Sequence, residues 1–326
     1  MRVLLVTGGA GFIGSNFIRY FLETNKDFIV VNYDKLTYAG NLNNLKEVEM
    51  LPTYRFVKGD ICDSEEFNRT LKKYNPDYII NFAAESHVDR SISGPSVFGQ
   101  TNFMGTLNLL QCAHEFWGSS CADKRFLQVS TDEVYGSIEN DSDYFIEDSN
   151  LMPNSPYSAS KAGADMMVRA FGRTYGLPVI ITRCCNNYGP YQYSEKLIPI
   201  CIIKALNDEP IPIYGDGTNI REWIHVSDHC SAIIKALFYG TPGEVYNIGS
   251  GEEVSNVDMA KIILSNLSKP TDAIKKVNDR LGHDRRYALD SSKIKNQLSW
   301  ACSYTLEEGI KETIEWYKNN QTWWND

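Results

Sequence analysis

The amino-acid sequence predicts a doubly wound α/β fold, in which helices cover both faces of a mostly parallel β-sheet. Through the first half of the chain, short continuous apolar segments alternate with longer segments of helical periodicity, as expected for parallel strands that are buried on both faces. A glycine-rich turn follows the first apolar segment, and after about Asn187 loops rich in Gly and Pro connect shorter elements. These observations predict a large sheet domain and a second, smaller α/β region.

The predicted strands of the sheet are Arg2–Thr7, Phe28–Tyr33, Tyr54–Lys58, Tyr78–Phe82, Phe126–Ser130 and Val179–Arg183, and several of them are continuous apolar runs. The segments between them include three predicted helices, Phe12–Glu23, Thr101–Phe116 and Tyr157–Tyr175. Such a strict alternation of strand and helix is the pattern of a doubly wound sheet.

The second half of the chain has a different organisation. It ends in an aromatic-rich segment that predicts a helix over Leu306–Trp316. Two segments, His225–Leu237 and Val245–Ile248, resemble the first half, and we expect them to return to the sheet. The predicted division is a first domain of residues 1–187 and 225–250, and a smaller region of residues 188–224 and 251–326 that binds the substrate.

Composition and charge exclude several classes of protein. With 43% apolar and 22% charged residues, the chain has the balance of a globular protein rather than a disordered one. The net charge of −9 argues against a basic surface for nucleic acid. No apolar run approaches the length of a membrane span, and the chain begins directly with an apolar strand. We therefore expect a cytoplasmic protein without a nucleic-acid or membrane partner.

The cysteines and histidines do not predict a metal site. Eight cysteines occur without a CxxC pair, and Cys184 and Cys185 are adjacent, which suits neither zinc nor an ordinary disulfide. Free thiols indicate a reducing compartment. His225 and His229 are four residues apart and could share a helix face as ligands. We favour the alternative that Ser227 is a helix N-cap there, because no third ligand is evident.

The glycine-rich turn has the spacing of a dinucleotide-binding loop. Gly8, Gly11 and Gly14 follow the first strand and open the first helix. In such a loop the first glycine permits a tight turn, the second lets the backbone approach a pyrophosphate, and the third lets helix and strand pack closely. The helix N-terminus then offers N–H groups to the phosphates. A simple turn is the alternative, but the position between strand and helix predicts a Rossmann-like domain.

An acidic residue stands where the ribose of a dinucleotide is expected. Asp34 ends the second predicted strand, 34 − 14 = 20 residues after Gly14, which is the usual distance for a carboxylate that accepts hydrogen bonds from the ribose hydroxyls. Because this carboxylate would repel the additional phosphate of NADP, we expect NAD, although the neighbouring Lys35 weakens that argument. Asp60 and Ile61, after the third strand, are expected near the adenine. The alternative for Asp34 is a turn-forming aspartate.

A tyrosine and a lysine are placed for proton transfer. Tyr157 and Lys161 are four residues apart in a predicted helix and therefore share one face. A tyrosine with a pKa near 10 is a weak base at neutral pH, and we expect the ammonium of Lys161, with a cationic nicotinamide, to stabilise its phenolate. This spacing is common by chance, but it is stronger evidence for proton transfer when it follows a complete dinucleotide-binding motif.

This pairing resembles the extended short-chain dehydrogenase/reductase family, which adds a Ser or Thr at the end of the fifth strand. Ser130 and Thr131 stand there, followed directly by Asp132 and Glu133. Two carboxylates at the carboxyl end of a strand lie where open α/β sheets bind ligands. A solvated acidic turn is the alternative interpretation. An acid and a base together are what the elimination of water requires. We therefore predict a catalytic group of five residues, Thr131, Asp132, Glu133, Tyr157 and Lys161.

Nearly end to end, the sequence resembles the dTDP-glucose 4,6-dehydratases within that family. The matching segments are residues 83–89, 183–192, 195–199 and 282–287. Three departures stand out: Cys185 replaces a Ser, Tyr193-Ser194 replaces a Phe-Pro pair, and Leu281 replaces a Pro. None of them removes a predicted catalytic group.

The resemblance implies a hydro-lyase that converts dTDP-glucose to a 4-keto-6-deoxy sugar nucleotide for deoxysugar biosynthesis of the rhamnose type. It implies that Tyr157 takes the 4-hydroxyl proton as hydride passes from C4 to NAD, while Thr131 hydrogen-bonds the 4-oxygen. Glu133 then removes the C5 proton, and Asp132 protonates the departing C6 hydroxyl. Hydride returns to C6, so the cofactor stays bound and no net oxidation occurs.

The resemblance also implies two sets of binding residues and a dimer. The implied NAD-binding residues are Gly8, Gly11, Phe12, Ile13, Gly14, Asp34, Lys35, Leu36, Thr37, Asp60, Ile61, Phe82, Ala83, Ala84, Thr101, Tyr157, Lys161 and Asn187. The implied sugar-nucleotide-binding residues are Ser86, Thr131, Asn186, Lys196, Leu197, Pro212, Ile213, Tyr214, Arg221, Asn256, Asp279, Arg280, Leu281, Gly282 and His283. Of these, Arg221 is expected at the pyrophosphate, and Tyr214 or His283 beside the base. The helices Thr101–Phe116 and Tyr157–Tyr175 are expected to pair with their copies in a homodimer.

Two other functions stay open at this point. A sugar-nucleotide 4-epimerase would share the fold, NAD, Tyr157 and Lys161, but it has no use for the acid–base pair. A catalytically silent NAD-binding regulator should have lost Tyr157, Lys161 or the acids. The presence of Asp132 and Glu133 favours the dehydratase over both.

Overall fold

The computed structural model describes residues 1–140 and 142–325. Its strands are β1 Arg2–Thr7, β2 Phe28–Asp34, β3 Tyr54–Lys58, β4 Tyr78–Asn81, β5 Arg125–Thr131, β6 Val179–Cys184, β7 Asn186–Tyr188, β8 Ile211–Tyr214, β9 Ile220–His225, β10 Val245–Ile248, β11 Glu253–Ser255 and β12 Ile274–Val277. Its α-helices are α1 Phe12–Thr24, α2 Ser64–Tyr74, α3 Val88–Ser93, α4 Pro95–Phe98, α5 Thr106–Trp117, α6 Pro156–Tyr175, α7 Leu197–Leu206, α8 Val226–Tyr239, α9 Asn256–Asn266, α10 Ser292–Leu298, α11 Leu306–Asn319 and α12 Gln321–Asn325. Three 3₁₀ turns cover Leu42–Leu45, Asp132–Tyr135 and Thr271–Ala273, and Gly99–Gly105 is π-helical.

A seven-stranded sheet in the order β10-β6-β5-β4-β1-β2-β3 forms the centre of the molecule. Every neighbouring pair in it is parallel. The strand order reverses beside β1, so the carboxyl ends of β1 and β4 border a crevice where ligands of such folds bind. The predicted doubly wound parallel sheet is confirmed.

Apolar side chains fill both faces of this sheet. Successive residues of a strand point to opposite faces, so Leu4 packs with Phe17 of α1 and Ile233 of α8, whereas Leu5 packs with Phe67 of α2 on the other side. All of these side chains are fully buried. Burying each contributes roughly 1.5–3 kcal/mol. The two layers therefore hold the carboxyl ends of the strands, and the side chains that follow them, in fixed positions.

Two sequence-based predictions about helices are wrong in detail. The predicted helix over 101–116 is α-helical only from Thr106, because the preceding turns are π-helical. There, Asn102 turns its buried amide inward and hydrogen-bonds the backbone of Glu85 and the hydroxyl of Ser160. Ser227 is not a helix N-cap: β9 continues through His225, whose imidazole accepts a hydrogen bond from the Ser227 N–H and caps α8.

The second region contains two small sheets and its own apolar core. In one sheet β9 pairs with β7 in parallel and with β11 in antiparallel orientation, and in the other β8 pairs with β12 in parallel. Helices α7, α9 and α11 pack together over these strands. Strand β10 follows β9 and α8 in the chain but belongs to the seven-stranded sheet, where it pairs with β6. Over the described residues, no helix is both long and apolar enough to span a membrane.

Candidate active site

A deep cleft opens at the carboxyl ends of β1, β2, β4, β5 and β6. It brings together the five predicted catalytic residues and most of the predicted NAD-binding residues. The predicted residues that line it are Gly8, Gly11, Phe12, Ile13, Gly14, Asp34, Lys35, Thr37, Asp60, Ile61, Phe82, Ala83, Ala84, Ser86, Thr101, Thr131, Asp132, Glu133, Tyr157, Lys161, Asn186, Asn187 and Lys196. Leu36 does not line the cleft; it has φ 58° and donates its N–H to Asp34.

The glycine-rich loop leaves the space and the N–H groups that a dinucleotide pyrophosphate needs. Gly8 has φ 71°, and a Cβ there would lie 2.5 Å from the backbone nitrogen of Ala83. A Cβ on Gly14 would lie 2.3 Å from the carbonyl oxygen of Gly8, so only glycine lets α1 pack this closely on the loop. Gly11 begins the helix without a side-chain cap. The first N–H groups of α1 are therefore available to an anionic ligand.

Asp34 is held rigidly at the end of β2. Its Oδ2 accepts a hydrogen bond from the N–H of Ala10 at 2.8 Å, and its Oδ1 accepts one from Leu36 at 2.8 Å. Burial raises the pKa of Asp34, and these two N–H groups oppose that rise. Lys35 points elsewhere and forms an ion pair of 2.7 Å with Asp60. Its charge is thereby balanced by a carboxylate, which reduces its attraction for a second phosphate.

Helix α6 presents Tyr157 and Lys161 to the cleft. A capping box of Ser155 and Ser158 fixes the first turn, and Tyr157 follows immediately. The Lys161 ammonium donates a hydrogen bond of 2.7 Å to the carbonyl oxygen of Val129, the last apolar residue of β5. Both side chains are buried. The carbonyl contact fixes the ammonium one helical turn from the phenol.

The protein groups alone favour the protonated tyrosine. Burial raises the pKa of Tyr157 well above 10, and the nearby Glu133, Cys184 and Asp132 raise it further, whereas a hydrogen bond with Thr131 lowers it. Burial lowers the pKa of Lys161. The expectation that Lys161 and a cationic nicotinamide together stabilise the phenolate of Tyr157 therefore stays a prediction. The phenolate requires additional positive charge beside it.

The acid–base pair lies on a 3₁₀ turn that continues directly from β5. Thr131, the last residue of the strand, donates its hydroxyl to Asp132 Oδ1 at 3.2 Å and accepts the N–H of Glu133 at 3.3 Å. Asp132 is 1% exposed, and its Oδ2 has no hydrogen-bond partner among the described residues. Since a buried polar atom is costly when unpaired, this oxygen is suited to a ligand hydroxyl.

The two carboxyls have different electrostatic surroundings. Burial raises the pKa of Asp132 well above its usual value, and the negative charges of Glu133 and Glu222 add to the rise. Burial also raises the pKa of Glu133 above its usual value, and Arg280, Arg221 and Lys196 oppose that rise without cancelling it. Neighbouring carboxyls whose pKa values are pushed apart commonly serve as acid and base. Here Asp132 is favoured as the protonated acid and Glu133 as the base.

Three cations surround Glu133 on the side of the second region. Lys196 donates to the carbonyl oxygen of Ser86 at 2.9 Å. Arg221, which is expected at a pyrophosphate, donates to backbone carbonyl oxygens, among them that of Asp284 at 3.0 Å, and stacks on Tyr287. These contacts of the guanidinium hold the segment after Gly282 in place. Its charge still acts on the cleft through Asp132 and Glu133.

The other predicted sugar-nucleotide residues lie outside the cleft lining. They are Leu197, Pro212, Ile213, Tyr214, Arg221, Asn256, Asp279, Arg280, Leu281, Gly282 and His283. Some of them nevertheless contact one another: the rings of Tyr214 and His283 are 6.4 Å apart and perpendicular, and His283 Nδ1 lies 2.7 Å from Asp279 Oδ1. Leu281 is 76% exposed and has no packing role that its departure from Pro would disturb.

Several residues of the cleft were not predicted from the sequence. Glu85 follows β4 and Cys184 ends β6, so the rule that ligands bind at the carboxyl ends of strands could have identified both. Glu195 also lines the cleft and lies 3.6 Å from His87 and 3.3 Å from Arg90. Glu195 is far in sequence from His87 and Arg90, so no local sequence pattern predicts this cluster.

Comparison with known proteins gives a consistent family. The family model described as GDP-mannose 4,6 dehydratase matches residues 5–313. The dTDP-glucose 4,6-dehydratase of Xanthomonas campestris pv. campestris (strain B100) is 51% identical, over 99% of this chain and 95% of that protein. The structure of a dTDP-glucose 4,6-dehydratase from Streptomyces venezuelae, with NAD and TYD bound, has a TM-score of 0.94 and 50% identity over 99% of this chain and 98% of its own.

An epimerase is also similar, but less so. UDP-glucose 4-epimerase from Thermotoga maritima has a TM-score of 0.88 and 30% identity over 98% of this chain and 99% of its own. Dehydratases and epimerases thus share the fold, but this chain is more similar in sequence to the dehydratases. With about half of its residues identical over nearly the full length of its relatives, the chain belongs to the dTDP-glucose 4,6-dehydratase family.

Proposed function

We propose that this protein dehydrates dTDP-glucose to dTDP-4-keto-6-deoxyglucose and so feeds deoxysugar biosynthesis. The observation that carries the proposal is the pair of buried Asp132 and half-buried Glu133 beside Tyr157 in a cleft with a dinucleotide-binding loop. The names of the relatives supply the substrate. An epimerase needs a tyrosine and a dinucleotide but not a pair of carboxyls with opposed electrostatic surroundings.

The cofactor is NAD, and the glycine loop, Asp34 and the lining of the cleft would hold it. The loop fits a pyrophosphate because no side chain fills the space above Gly11, where the nearest atom to an added Cβ is 3.4 Å away. Asp34 keeps further acceptor capacity for ribose hydroxyls beside its two backbone bonds. When bound, NAD would supply the hydride chemistry, as the acceptor for hydride from C4 of the sugar and the donor of hydride to C6.

The residues of the chain divide the proton transfers among them. Tyr157 removes the proton of the 4-hydroxyl, and Thr131 holds the 4-oxygen by a hydrogen bond. The resulting ketone acidifies the proton on C5, which Glu133 removes as its carboxylate. Asp132 gives its proton to the C6 hydroxyl, which leaves as water. A proton returned to C5 then completes a reaction without net oxidation.

Burial and the neighbouring charges support this assignment of acid and base. Asp132 has Glu133 and Glu222 nearby, so it retains a proton at a pH where an ordinary aspartate would be ionised. Glu133 has three cations nearby, which favour its ionised form. The cationic charge that Tyr157 requires would come from the nicotinamide.

The sugar nucleotide would lie between the catalytic cleft and the second region. Lys196 and Ser86 border the cleft, and the rings of Tyr214 and His283 are suited to flank the base. On this proposal the NAD-binding domain comprises residues 1–187 and 225–250, and residues 188–224 and 251–326 bind the sugar nucleotide. Over the described residues, no cluster of three or more His, Cys, Asp or Glu side chains could hold a metal ion.

The proposed activity is tested by incubating the purified protein with dTDP-glucose and analysing the sugar by mass spectrometry and NMR. We expect loss of one water and a 4-keto product. UDP-, CDP- and GDP-glucose serve as matched controls and should react more slowly. Formation of dTDP-galactose without loss of water would instead identify an epimerase.

We further propose a cytoplasmic homodimer. Met166 and Tyr175 on α6 are 44% and 53% exposed, and Met104, just before α5, is 44% exposed. Large apolar side chains on two neighbouring helices are suited to pair with a second copy in a four-helix interface. Light scattering at micromolar concentration should give twice the mass of the chain, and a monomer would contradict the proposal.

The eight free cysteines are consistent with a reducing compartment.

A further inference from the structure

Helix α12 is joined to the rest of the molecule by an aromatic cluster. Trp323 packs perpendicular to Trp316 of α11, with ring centroids 5.0 Å apart, and to Tyr191, at 5.8 Å. Tyr191 also contacts Trp316, at 4.6 Å. These three rings place the indole of Trp323 against the 3₁₀ turn Leu42–Leu45, nearly three hundred residues earlier in the chain.

At this contact a hydrogen-bond relay leads to the glycine-rich loop. The indole Nε1–H of Trp323 donates to Asn44 Oδ1 at 2.8 Å, and Asn44 Nδ2 donates to the carbonyl oxygen of Ala10 at 3.0 Å. An indole is only a donor, so Asn44 must turn its oxygen toward Trp323. Its NH₂ group then faces Ala10. The tryptophan thereby selects the amide orientation that holds the loop.

Ala10 is the residue through which this relay reaches the proposed NAD site. It lies between Gly8 and Gly11, and both its N–H and its carbonyl oxygen form hydrogen bonds. Its N–H donates to Asp34 at 2.8 Å, while its carbonyl oxygen accepts from the N–H of Asn41 at 3.0 Å as well as from Asn44. The loop backbone, the proposed ribose-binding carboxylate and Asn44 therefore form one connected network.

The aromatic cluster also holds helix α1, which starts at this loop. The guanidinium of Arg19 lies 3.8 Å from the ring centroid of Tyr191 and donates to Asn16 at 2.6 Å and to the carbonyl oxygen of Asn44 at 3.3 Å. Asn16 in turn donates to Pro190 at 2.9 Å. Tyr191 has φ 67°, a conformation that needs support from its surroundings. The cluster thus contacts both the loop and the helix that follows it.

We propose that Trp323 and Asn44 are positioning residues that slow the release of NAD by fixing the backbone at Ala10. The proposal rests on the NAD binding proposed above. A slow release is useful in that reaction, because hydride taken from the sugar must return to the same molecule. Neither residue lines the cleft, so their effect is transmitted through the loop.

The test compares two neighbouring tryptophans. Trp323→Phe removes the indole donor to Asn44 but keeps an aromatic ring in the cluster. Trp324→Phe is the matched control, because the Nε1–H of Trp324 donates to the carbonyl oxygen of Tyr317, at 2.9 Å, and does not reach the loop. Each dimeric full-length protein is loaded with NADH and mixed with excess NAD⁺, and the loss of bound NADH fluorescence gives the release rate.

We expect Trp323→Phe to release NADH about three- to tenfold faster than the parent, the size of effect that losing one hydrogen bond produces. Trp324→Phe should release it at nearly the parental rate, and the affinity of both variants for dTDP should be unchanged. Asn44→Asp, which keeps the acceptor for Trp323 and removes the donor to Ala10, should also release NADH faster.

Equal release rates for the parent, Trp323→Phe and Asn44→Asp would overturn the proposal. Equal acceleration in Trp323→Phe and Trp324→Phe would also overturn it, since the effect would then be a general loosening of α12. If the parent bound no NADH at all, the proposed function itself would fail, and the positioning role with it.

Discussion

Tyr157→Phe is expected to lower the turnover of dTDP-glucose by about 10²–10⁴-fold, the contribution typical of a general acid–base group. The phenyl ring fills the same buried space, but no group is left to take the 4-hydroxyl proton. Oxidation at C4 is the first step, so neither NADH nor 4-keto product should form at the parental rate. Single-turnover absorbance of NADH, with mass spectrometry of the sugar, measures both.

The matched control for this variant is Tyr175→Phe. Tyr175 belongs to the same helix, α6, but it does not line the cleft, and phenylalanine keeps the ring that the proposed dimer contact would use. This control should retain parental turnover, and Tyr157→Phe should still carry one NAD per chain. A Tyr157→Phe variant that turns over at the parental rate would show that another group is the base.

Glu133→Gln should separate the two halves of the reaction. The amide cannot accept the C5 proton, so elimination should fall by about 10²–10⁴-fold. Tyr157, Lys161 and Thr131 are unchanged, so hydride should still leave C4. Bound NADH should therefore accumulate in a single turnover while the loss of water stalls, a signature that simple misfolding would not produce. Dehydration at the parental rate would return the epimerase to consideration.

The pH profile gives a second readout for Glu133. Because burial raises its pKa above the usual value, the basic form is lost as the pH falls through that raised pKa, and elimination by the parent should decline there. In Glu133→Gln this acidic limb should be absent from the residual elimination rate. Glu139→Gln, on an exposed position of the same segment, should keep the parental profile.

Most of the fold could be predicted because its information is local. Parallel strands buried on both faces have apolar sequences, so Arg2–Thr7 and Val245–Ile248 have the predicted bounds. The π-helical turns at 99–105 could not be predicted, because they depend on the contact of Asn102 with Glu85 and Ser160. His225 could not be identified as the cap of α8 until the extent of β9 was known.

In the candidate site, too, local sequence patterns could be predicted, whereas contacts between distant residues could not. Short spacings predicted the glycine loop and the pairs Tyr157–Lys161 and Asp132–Glu133, and the structure brings all of these to one cleft. The partner of Arg221 could not be predicted, because its carbonyl acceptor at Asp284 lies 63 residues away. Trp323 and Asn44 are 279 residues apart, a separation at which composition and periodicity carry no information about contact.

The return of β10 to the edge of the central sheet restricts how the molecule can open. The chain leaves the sheet after β6, builds β7 to β9, and comes back through α8 to β10, so the two regions are not joined by a single linker. Any movement of one region against the other must therefore bend the chain at several crossings at once. The same interleaving ties the unfolding of the two regions together, because removing the segment after β9 would strip the sheet of an edge strand and of the helix that covers it.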